Sequence, residues 1–571
     1  MYKSIKKHVR KDVELISHCL RISIYFENMT AINLFREPYF DQKLQNIESP
    51  TVTHALLAAI VAFSSRFCCQ EDSESDQYTW EAFGGVAHTR LYFQRLASQF
   101  IDQALNECDE SPPPLSLLQA AILLAHGQLT QGVRGKAWRS LGTCVRIAYE
   151  LNFHLIDSGH ACENVKVDVE QWCDQEEKRR AWWAIWEMDV FASTIRRCPT
   201  AIDWTQNETL LPVEDEFWFR GEPRASCFLE SDLTRRWSAI QRSANGSAKA
   251  WFIVINSLMK EAQCISSPRS IPNLSLPEDR PEASHTCKRE KVARAAVEEG
   301  AEKLEIISNS VHCFVLALPA SLRFRKQYLG FDARLPGETT STRQQHCGIY
   351  NINVMTQLAT LMIHQYDVFG GPVRTGWSKH CPNSRPKSRD HEGSWRASRG
   401  TNDADIIALD QYFEAADNIL TIVHRSCDKH IQWINPFLAS TIWLAAAVQL
   451  VRKEFGPSGT NRDLVKSKFD VLYITYQKCV SFWDIQTALQ QNLESLEAQL
   501  QTFHKEDKRP DEARRKSVDR REPREKESWT NESQDRNNER QLAYGRFSFR
   551  LIENFNLANL TKQVLSQTPQ T

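Results

Sequence analysis

Apolar residues return at helical spacing along most of the chain. The clearest run holds Val465, Phe469, Leu472, Tyr476 and Cys479, which follow one another at alternating steps of four and three. This spacing places them on one face of a helix, and we expect that face to pack inward. Similar patterns predict helices near residues 12–27, 50–67, 86–107, 114–127, 135–153, 174–196, 229–264, 288–317, 344–369, 404–426 and 434–455. Little of the chain is left for strands, so the pattern predicts an all-α fold.

Two of the predicted helices have unusual surfaces. Residues 115–125 are apolar on nearly every side, so we expect other helices to surround them. Residues 176–197 place Trp182, Trp183 and Trp186 within two turns, after a charged cluster at the start of the helix. Such a dense indole cluster indicates a large packing surface.

Three stretches without periodicity divide the chain, at residues 266–284, 370–403 and 504–541. Pro, Ser, Gly and charged residues dominate them, as is typical of loops and linkers. The last of these holds 12 Lys or Arg against 11 Asp or Glu with a single aromatic residue, so it cannot bury enough surface to fold alone. We predict a large irregular multi-helix bundle, or two helical sub-bodies, joined by disordered linkers. The predicted parts are a basic helical lead-in at 1–30, a first helical body at 31–265, a linker at 266–285, a second helical body at 286–503 with a loop at 370–403, a charged disordered segment at 504–541 and an apolar tail at 542–571.

The composition narrows the class of protein. The 70 basic and 71 acidic residues leave a net charge of -1, which argues against a surface dominated by phosphate binding. The first residues are too polar for a secretory signal, and no run reaches the roughly 18 apolar residues of a membrane span. Sixteen cysteines, mostly single and set in apolar stretches, are typical of buried thiols in a reducing compartment. We therefore expect a soluble intracellular protein.

No zinc site is predicted. A structural zinc ion needs repeated pairs of soft ligands two to four residues apart, and no Cys-x2-Cys occurs. Cys68 and Cys69 are adjacent and point apart on a helix, while His380 with Cys381 stands alone in a predicted linker.

Catalytic patterns are missing as well. The acidic run Glu214, Asp215 and Glu216 is the nearest candidate for a magnesium-diphosphate site, but no Asn-x3-Ser-x3-Glu accompanies it. Isolated glycine doublets predict turns and not phosphate loops, and no Gly-x-Ser-x-Gly elbow occurs. We assign no catalytic residue, no cofactor-binding residue and no metal ligand, and we predict that the protein is not an enzyme.

The C-terminal region carries two further signals. Its sharpest basic cluster, a candidate for nuclear import, consists of Lys508, Arg509, Arg514, Arg515 and Lys516. Acidic residues interleave these bases, so a solvated charged linker is the other interpretation. The tail after residue 542 is apolar again and either docks on the body or recruits a partner.

Three blocks in the first half of the chain resemble a known family. They are Glu177–Asp189, Arg197–Trp204 and Leu210–Trp218, preceded by similar stretches at 119–127 and 137–151. Their order and spacing resemble the fungal-specific transcription factor domain, the middle homology region of fungal zinc-cluster regulators, over roughly residues 30–265 and more loosely to about 500. The residues that match its motif, for which we expect structural roles, are Arg180, Trp183, Trp186, Pro199, Leu211, Pro212, Asp215 and Trp218.

The resemblance implies an all-helical, non-enzymatic regulator of RNA polymerase II genes in a fungal nucleus. In that family the domain follows a six-cysteine zinc cluster that reads DNA, whereas here it begins almost at Met1. We therefore expect the protein to act in one of two ways. In the first, it works through a DNA-bound partner, which is another transcription factor or co-regulator, and the assembly is a homo- or heterodimer. In the second, a zinc cluster encoded upstream contacts the DNA. Zinc is expected only in the second case. A smaller departure is Arg196-Arg197-Cys198-Pro199, where many members have Gly-Arg-Pro, and it suggests a local adjustment at a helix end.

Two other hypotheses stay open. The first is a non-nuclear helical scaffold or ligand sensor derived from the same fold, located in the cytoplasm. The second is an all-α enzyme with an unrecognised site, which no sequence feature favours.

Overall fold

A computed structural model of the chain describes residues 22–67, 86–159, 168–266, 283–334, 341–376, 397–455, 460–487 and 489–498. These residues form α-helices and short 3-10 turns, and the extended pairing found among them is one isolated parallel bridge between Leu329 and Ser426. The helices are α1 (Ile22–Asn28), α2 (Phe40–Gln45), α3 (Pro50–Ser64), α4 (Val86–Cys108), α5 (Leu115–Gln131), α6 (Gly135–Glu150), α7 (Val169–Arg196), α8 (Asp215–Arg220), α9 (Arg236–Arg242), α10 (Ala248–Ser266), α11 (Ala283–Ala317), α12 (Thr342–Gly376), α13 (Ala397–His424), α14 (Ala439–Phe455), α15 (Arg462–Trp483) and α16 (489–498). The all-α prediction is confirmed for this part of the chain.

Two hydrophobic clusters form the core of the described helices. The larger extends from Ile24 to Leu496, and α5 contributes apolar residues to it from almost every side of its circumference. The smaller joins the start of α7 to α8 and consists of Trp172, Cys173, Val213, Trp218 and Phe219. The inward face predicted for α15 is confirmed, since the five residues of the 465–479 pattern are all buried. The core includes residues on both sides of the predicted linker at 266–285, and the division into two sub-bodies stays a prediction.

The helix predicted at 229–264 is wrong as a single element. The chain forms α9 and α10 and breaks between them, where Ala244 has a positive φ of 56°. The Asn245 side chain accepts a hydrogen bond from the backbone N–H of Ser247 at 2.8 Å and donates one to the carbonyl of Pro212 at 3.0 Å. Asparagine side chains that bond nearby backbone offer an alternative to helical hydrogen bonding, which is why the periodicity did not carry through.

Several boundaries also differ from the predictions. α7 begins at Val169, five residues before the predicted start, because the Asp168 carboxylate caps it by accepting from the N–H of Glu170 at 3.1 Å. α12 and α13 extend into both ends of the loop predicted at 370–403, since α12 ends at Gly376 and α13 begins at Ala397. A helix that has already nucleated adds residues at little cost.

The lead-in before Ile22, most of the linker at 266–285 and everything after residue 498 lie outside the described residues. The candidate import cluster and the apolar tail are among them.

A close approach between two long helices depends on a glycine. A Cβ placed on Gly348 of α12 would stand 2.6 Å from the Cβ of Ala248 at the start of α10. Real Cβ atoms do not approach so closely, so the two backbones can pack at this distance only while residue 348 has no side chain. This contact joins the first half of the described chain to the second.

Candidate functional site

The family-like blocks meet along α7. This helix is 28 residues long, and most of its side chains from Trp172 to Ile195 are buried. After a left-handed residue at Arg197, the chain turns back and residues 202–218 run antiparallel along the helix. Side chains of α7 bond to this segment, which we call the return segment, at four points, and at a fifth the Trp218 indole donates to the backbone carbonyl of Cys173. The pairs, from the C-terminal end of the helix towards its start, are Asp189 with Ile202, Trp182 with Asn207, Trp183 with Leu210, Glu176 with Val213, and Cys173 with Trp218.

A buried network of opposite charges forms the centre of this contact. Arg179 donates to both carboxylate oxygens of Asp157, at 2.8 and 2.5 Å. Arg180 donates to Glu176 at 2.9 Å and to Asp215 at 2.5 Å. All but Asp215 are almost completely shielded from solvent. Burial raises the pKa of the Glu176 carboxyl, and the guanidinium groups of Arg180 and Arg179 oppose that shift.

The network does more than balance charge, because it satisfies the backbone of the return segment. The N–H of Leu210 donates to Asp157 at 2.8 Å, and its carbonyl accepts from the Trp183 indole at 2.7 Å. The N–H of Val213 donates to Glu176 at 3.0 Å, and its carbonyl accepts from Arg180 at 2.7 Å. A buried extended segment with no neighbouring strand needs such partners. The polar side chains therefore replace a β-ladder.

The eight motif residues occupy different places in this arrangement. Leu211, Pro212 and Trp218 are buried in the return segment or in α8, and Trp186 packs edgewise on Trp183 with ring centroids 5.5 Å apart. Arg180 also lies 4.2 Å from the centroid of the Trp218 ring, in a cation–π contact. Pro199 alone of the eight is exposed, in the turn after α7.

Each carboxylate of the acidic run at 214–216, considered above as a diphosphate site, has a partner within the protein. The Glu214 carboxylate accepts from the N–H of Gly246 at 2.8 Å, Asp215 pairs with Arg180, and Glu216 pairs with Arg220 one turn along α8. Glu214 stands at the N-cap of α8, and Asp215 and Glu216 lie in its first turn. Within the described residues, no group of three or more His, Cys, Asp or Glu side chains is placed to hold a metal ion.

Asp157, Glu176 and Arg179 are important members of the network that the sequence analysis did not single out. Glu176 and Arg180 are four residues apart on a helix, a spacing that could have revealed their pairing. Asp157 lies on a turn before α7, and no local pattern connects it with Arg179.

A second charged contact, further along α7, joins segments that are distant in sequence. Glu187, nearly fully buried, pairs with Lys249 of α10 and accepts from the Asn435 amide at 2.6 Å. Lys249 also donates to the carbonyl of Ala31 at 2.6 Å. Lys249 and Asn435 also line a broad cleft that includes Arg180 and Asp215, while Glu187 and Asn435 line an inner cavity against the C-terminal half of α7.

The histidines of the described core are not placed for proton transfer near neutral pH. Burial lowers the pKa of His126 to about 3 and that of His430 to about 4. His126 packs on Phe437, and the Nδ1 of His430 lies 2.6 Å from the carbonyl of Cys427. Their neutral rings act as packing groups.

Membrane insertion finds no support in the described helices, none of which is both long and apolar enough to cross a bilayer.

Residues 22–278, which include the long helix α7 and the return segment, match the model of the fungal specific transcription factor domain. The match covers the return segment and the whole charged network.

Curated relatives with similar sequences are transcription factors of fungi. The chain is 27% identical over 132 residues to the tropolone cluster transcription factor tropK of Talaromyces stipitatus, which covers 23% of each chain. It is 27% identical over 117 residues to the transcription factor tazR of Aspergillus terreus, covering 20% of this chain and 18% of the relative. It is 26% identical over 123 residues to the pigment biosynthesis transcriptional activator pigB of Monascus ruber, covering 21% and 22%.

The chain thus matches less than a quarter of the length of these relatives. No solved structure matches it significantly.

Proposed function

We propose that the protein is a transcription regulator of RNA polymerase II genes in a fungus, and that the described helical body is its regulatory part. The observation that carries this proposal is the family match at residues 22–278, which contains the three motif blocks along α7. The names of the curated relatives support the same conclusion. In this proposal the protein acts in the nucleus and has no catalytic activity.

Contact with DNA is made either by a partner or by a zinc cluster encoded upstream of Met1. The two versions differ in the genome, since only the second requires an in-frame six-cysteine module before the Met1 codon. They also differ in the cell, because a partner-dependent regulator needs another transcription factor or co-regulator to reach its genes.

A tethering experiment tests the regulatory role independently of DNA binding. The full chain is fused to a bacterial operator-binding domain and expressed in a filamentous fungus that carries a reporter under that operator. We expect reporter expression to change at least fivefold relative to the operator-binding domain alone. A fusion carrying Arg220→Met, at an exposed pair on α8, should behave like the wild type. A nuclear, equally abundant fusion that leaves the reporter unchanged would contradict the proposal.

The location is tested with a fluorescent fusion. We expect nuclear signal, and replacement of Lys508, Arg509, Arg514, Arg515 and Lys516 by glutamine should reduce it if this cluster directs import. A matched variant in which nearby acidic residues become glutamine serves as the control. A wild-type fusion that stays in the cytoplasm, with no transcript change on deletion of the gene, would favour the scaffold hypothesis instead.

A further inference from the structure

An internal cavity lies where six parts of the described chain meet. Helices α7, α10, α12 and α14 and the loop before α14 surround it, and Tyr412 of α13 closes one side. Its volume is about 80 Å³. Sites for drug-sized ligands commonly measure roughly 300–1,000 Å³, so a small molecule enters this cavity only as the lining side chains move apart.

Most of the wall is apolar and adaptable. Met259, Met355 and Met362 line it, together with Leu358 and the stacked pair Phe191 and Phe437, whose ring centroids are 4.1 Å apart. Methionine side chains fill irregular space and adjust to different shapes. A wall of this composition favours a mainly apolar ligand.

Both charged side chains that line the cavity already have interaction partners. Glu187 is bound by Lys249 and Asn435, and Arg197, the other charged residue of the lining, has an interaction partner as well. A charged ligand would lose its hydration without meeting a free opposite charge, which is costly in an apolar site. The cavity therefore favours a neutral molecule.

Three polar atoms of the lining have no hydrogen-bond partner among the described residues. They are the Oδ1 of Asn256, the hydroxyl of Thr194 and the hydroxyl of Thr441. Asn256 and Thr441 are 3% and 1% exposed. Other polar groups of the same wall are satisfied, since Ser266 donates to the carbonyl of Met362 at 2.6 Å and Gln263 accepts from Lys260 at 3.0 Å.

Buried polar atoms are rarely left without a partner, and each such group requires a physical reason. Three of them around one cavity, supplied by three different helices, have a common reason if a bound molecule completes their hydrogen bonds. We propose that this cavity binds a neutral, mainly apolar small molecule that carries at least one O–H or N–H donor, which Asn256 accepts. This inference does not depend on the proposed role in transcription.

Three related naphthalenes test the chemistry of the site on the full-length protein. 2-Naphthol is neutral and has an O–H donor, 2-methoxynaphthalene lacks the donor, and 2-naphthoate is an anion at pH 7.5. We expect saturable binding of 2-naphthol at one site per chain, followed by its fluorescence or by isothermal titration calorimetry. The affinity for 2-methoxynaphthalene should be at least fivefold lower, and 2-naphthoate should not bind measurably.

Two cavity variants locate the binding site. Asn256→Leu should lower the affinity for 2-naphthol at least tenfold and reduce the difference between it and 2-methoxynaphthalene. Thr441→Val, which keeps the side-chain shape, should lower it about threefold and guards against a folding defect in the first variant. Asn418→Leu on α13, whose amide bonds to Gln357 outside the cavity, is the matched control and should leave binding unchanged.

Circular dichroism and thermal unfolding establish that each variant is folded. A wild-type protein that binds none of the three compounds would overturn the proposal. An affinity for 2-naphthol that is unchanged in folded Asn256→Leu and Thr441→Val would do so as well.

Discussion

The two ends of α7 offer a comparison between two kinds of buried polar surface. Along its first five turns, the carboxylates and guanidinium groups of Glu176, Arg179 and Arg180 find partners in Asp157, Asp215 and the return segment. Along its last turns, Thr194 faces a cavity that also contains Asn256 and Thr441 without partners. Satisfied polar groups fix one arrangement of the chain. Unsatisfied ones mark the place where something else is expected to bind.

We expect the largest loss of stability when a paired charge is removed from the buried network near the start of α7. Arg179→Met removes a buried cation and leaves Asp157 and Glu176 as buried carboxylates with fewer partners. We expect a loss of about 3–5 kcal/mol in the free energy of unfolding, measured with urea. Arg220→Met, at the exposed pair with Glu216, should cost no more than about 0.5 kcal/mol. Equal losses in the two variants would show that burial of the charged network is not what stabilises the contact between α7 and the return segment.

Asp189 lies between the two regions and is only half satisfied. Its Oδ2 accepts from the N–H of Ile202 at 2.9 Å, and its Oδ1 has no partner among the described residues. Burial raises the pKa of this carboxyl to about 6, against the backbone N–H groups of Ile202 and Ala201. The folded protein therefore binds more protons than the unfolded chain between roughly pH 4 and 6, so this group's contribution to stability falls as pH rises through that window.

Comparison with Asp189→Asn isolates this contribution, because the variant has no carboxyl at that position. We expect the wild type to lose about 2 kcal/mol relative to the variant between pH 4 and pH 6, part of the roughly 3 kcal/mol that the whole shift from 3.8 to about 6 represents at 1.36 kcal/mol for each pKa unit. Above about pH 6.5 the difference should be constant. Urea unfolding at several pH values measures it, and two parallel stability curves would refute the assignment.

A pair of buried threonines compares the two regions most directly. Thr209, in the return segment, donates to the carbonyl of Phe153 at 2.6 Å and is fully buried. Thr441 is equally buried at the cavity and has no partner among the described residues. Thr209→Val should cost about 1–2 kcal/mol, whereas Thr441→Val should be neutral or stabilise the ligand-free protein by up to about 1 kcal/mol. The comparison fails if both substitutions destabilise equally in urea unfolding.

The smallest effect is expected at the end of α7. Arg197 has a positive φ of 51°, the conformation that glycine adopts most easily. Arg197→Gly and Arg197→Ala both remove the side chain and differ only in backbone preference. We expect the glycine variant to be more stable than the alanine variant by about 1 kcal/mol in thermal or urea unfolding. Equal stability would mean that the helix end relaxes away from this conformation.

The helices themselves could be predicted from the sequence because their periodicity is local. The α15 face from Val465 to Cys479 and the fully apolar α5 needed only the spacing of apolar residues. The family blocks could also be recognised, since they are contiguous in the chain. The break before α10 was missed because the side chain of Asn245 bonds to Pro212 and Ser226, which are distant in sequence.

The contact between α7 and the return segment, like the cavity, exists only in the tertiary structure. Nothing local connects Asp157 with Arg179, or Glu187 with Lys249 and Asn435. Hydrophobic periodicity shows which face of a helix is buried but not which other helix covers it, and a hydrogen bond between distant residues exists only after the chain has folded. The sequence by itself therefore determined the helices and the resemblance to a family, while the packing of α7 decided which of its polar groups are satisfied and which line a cavity.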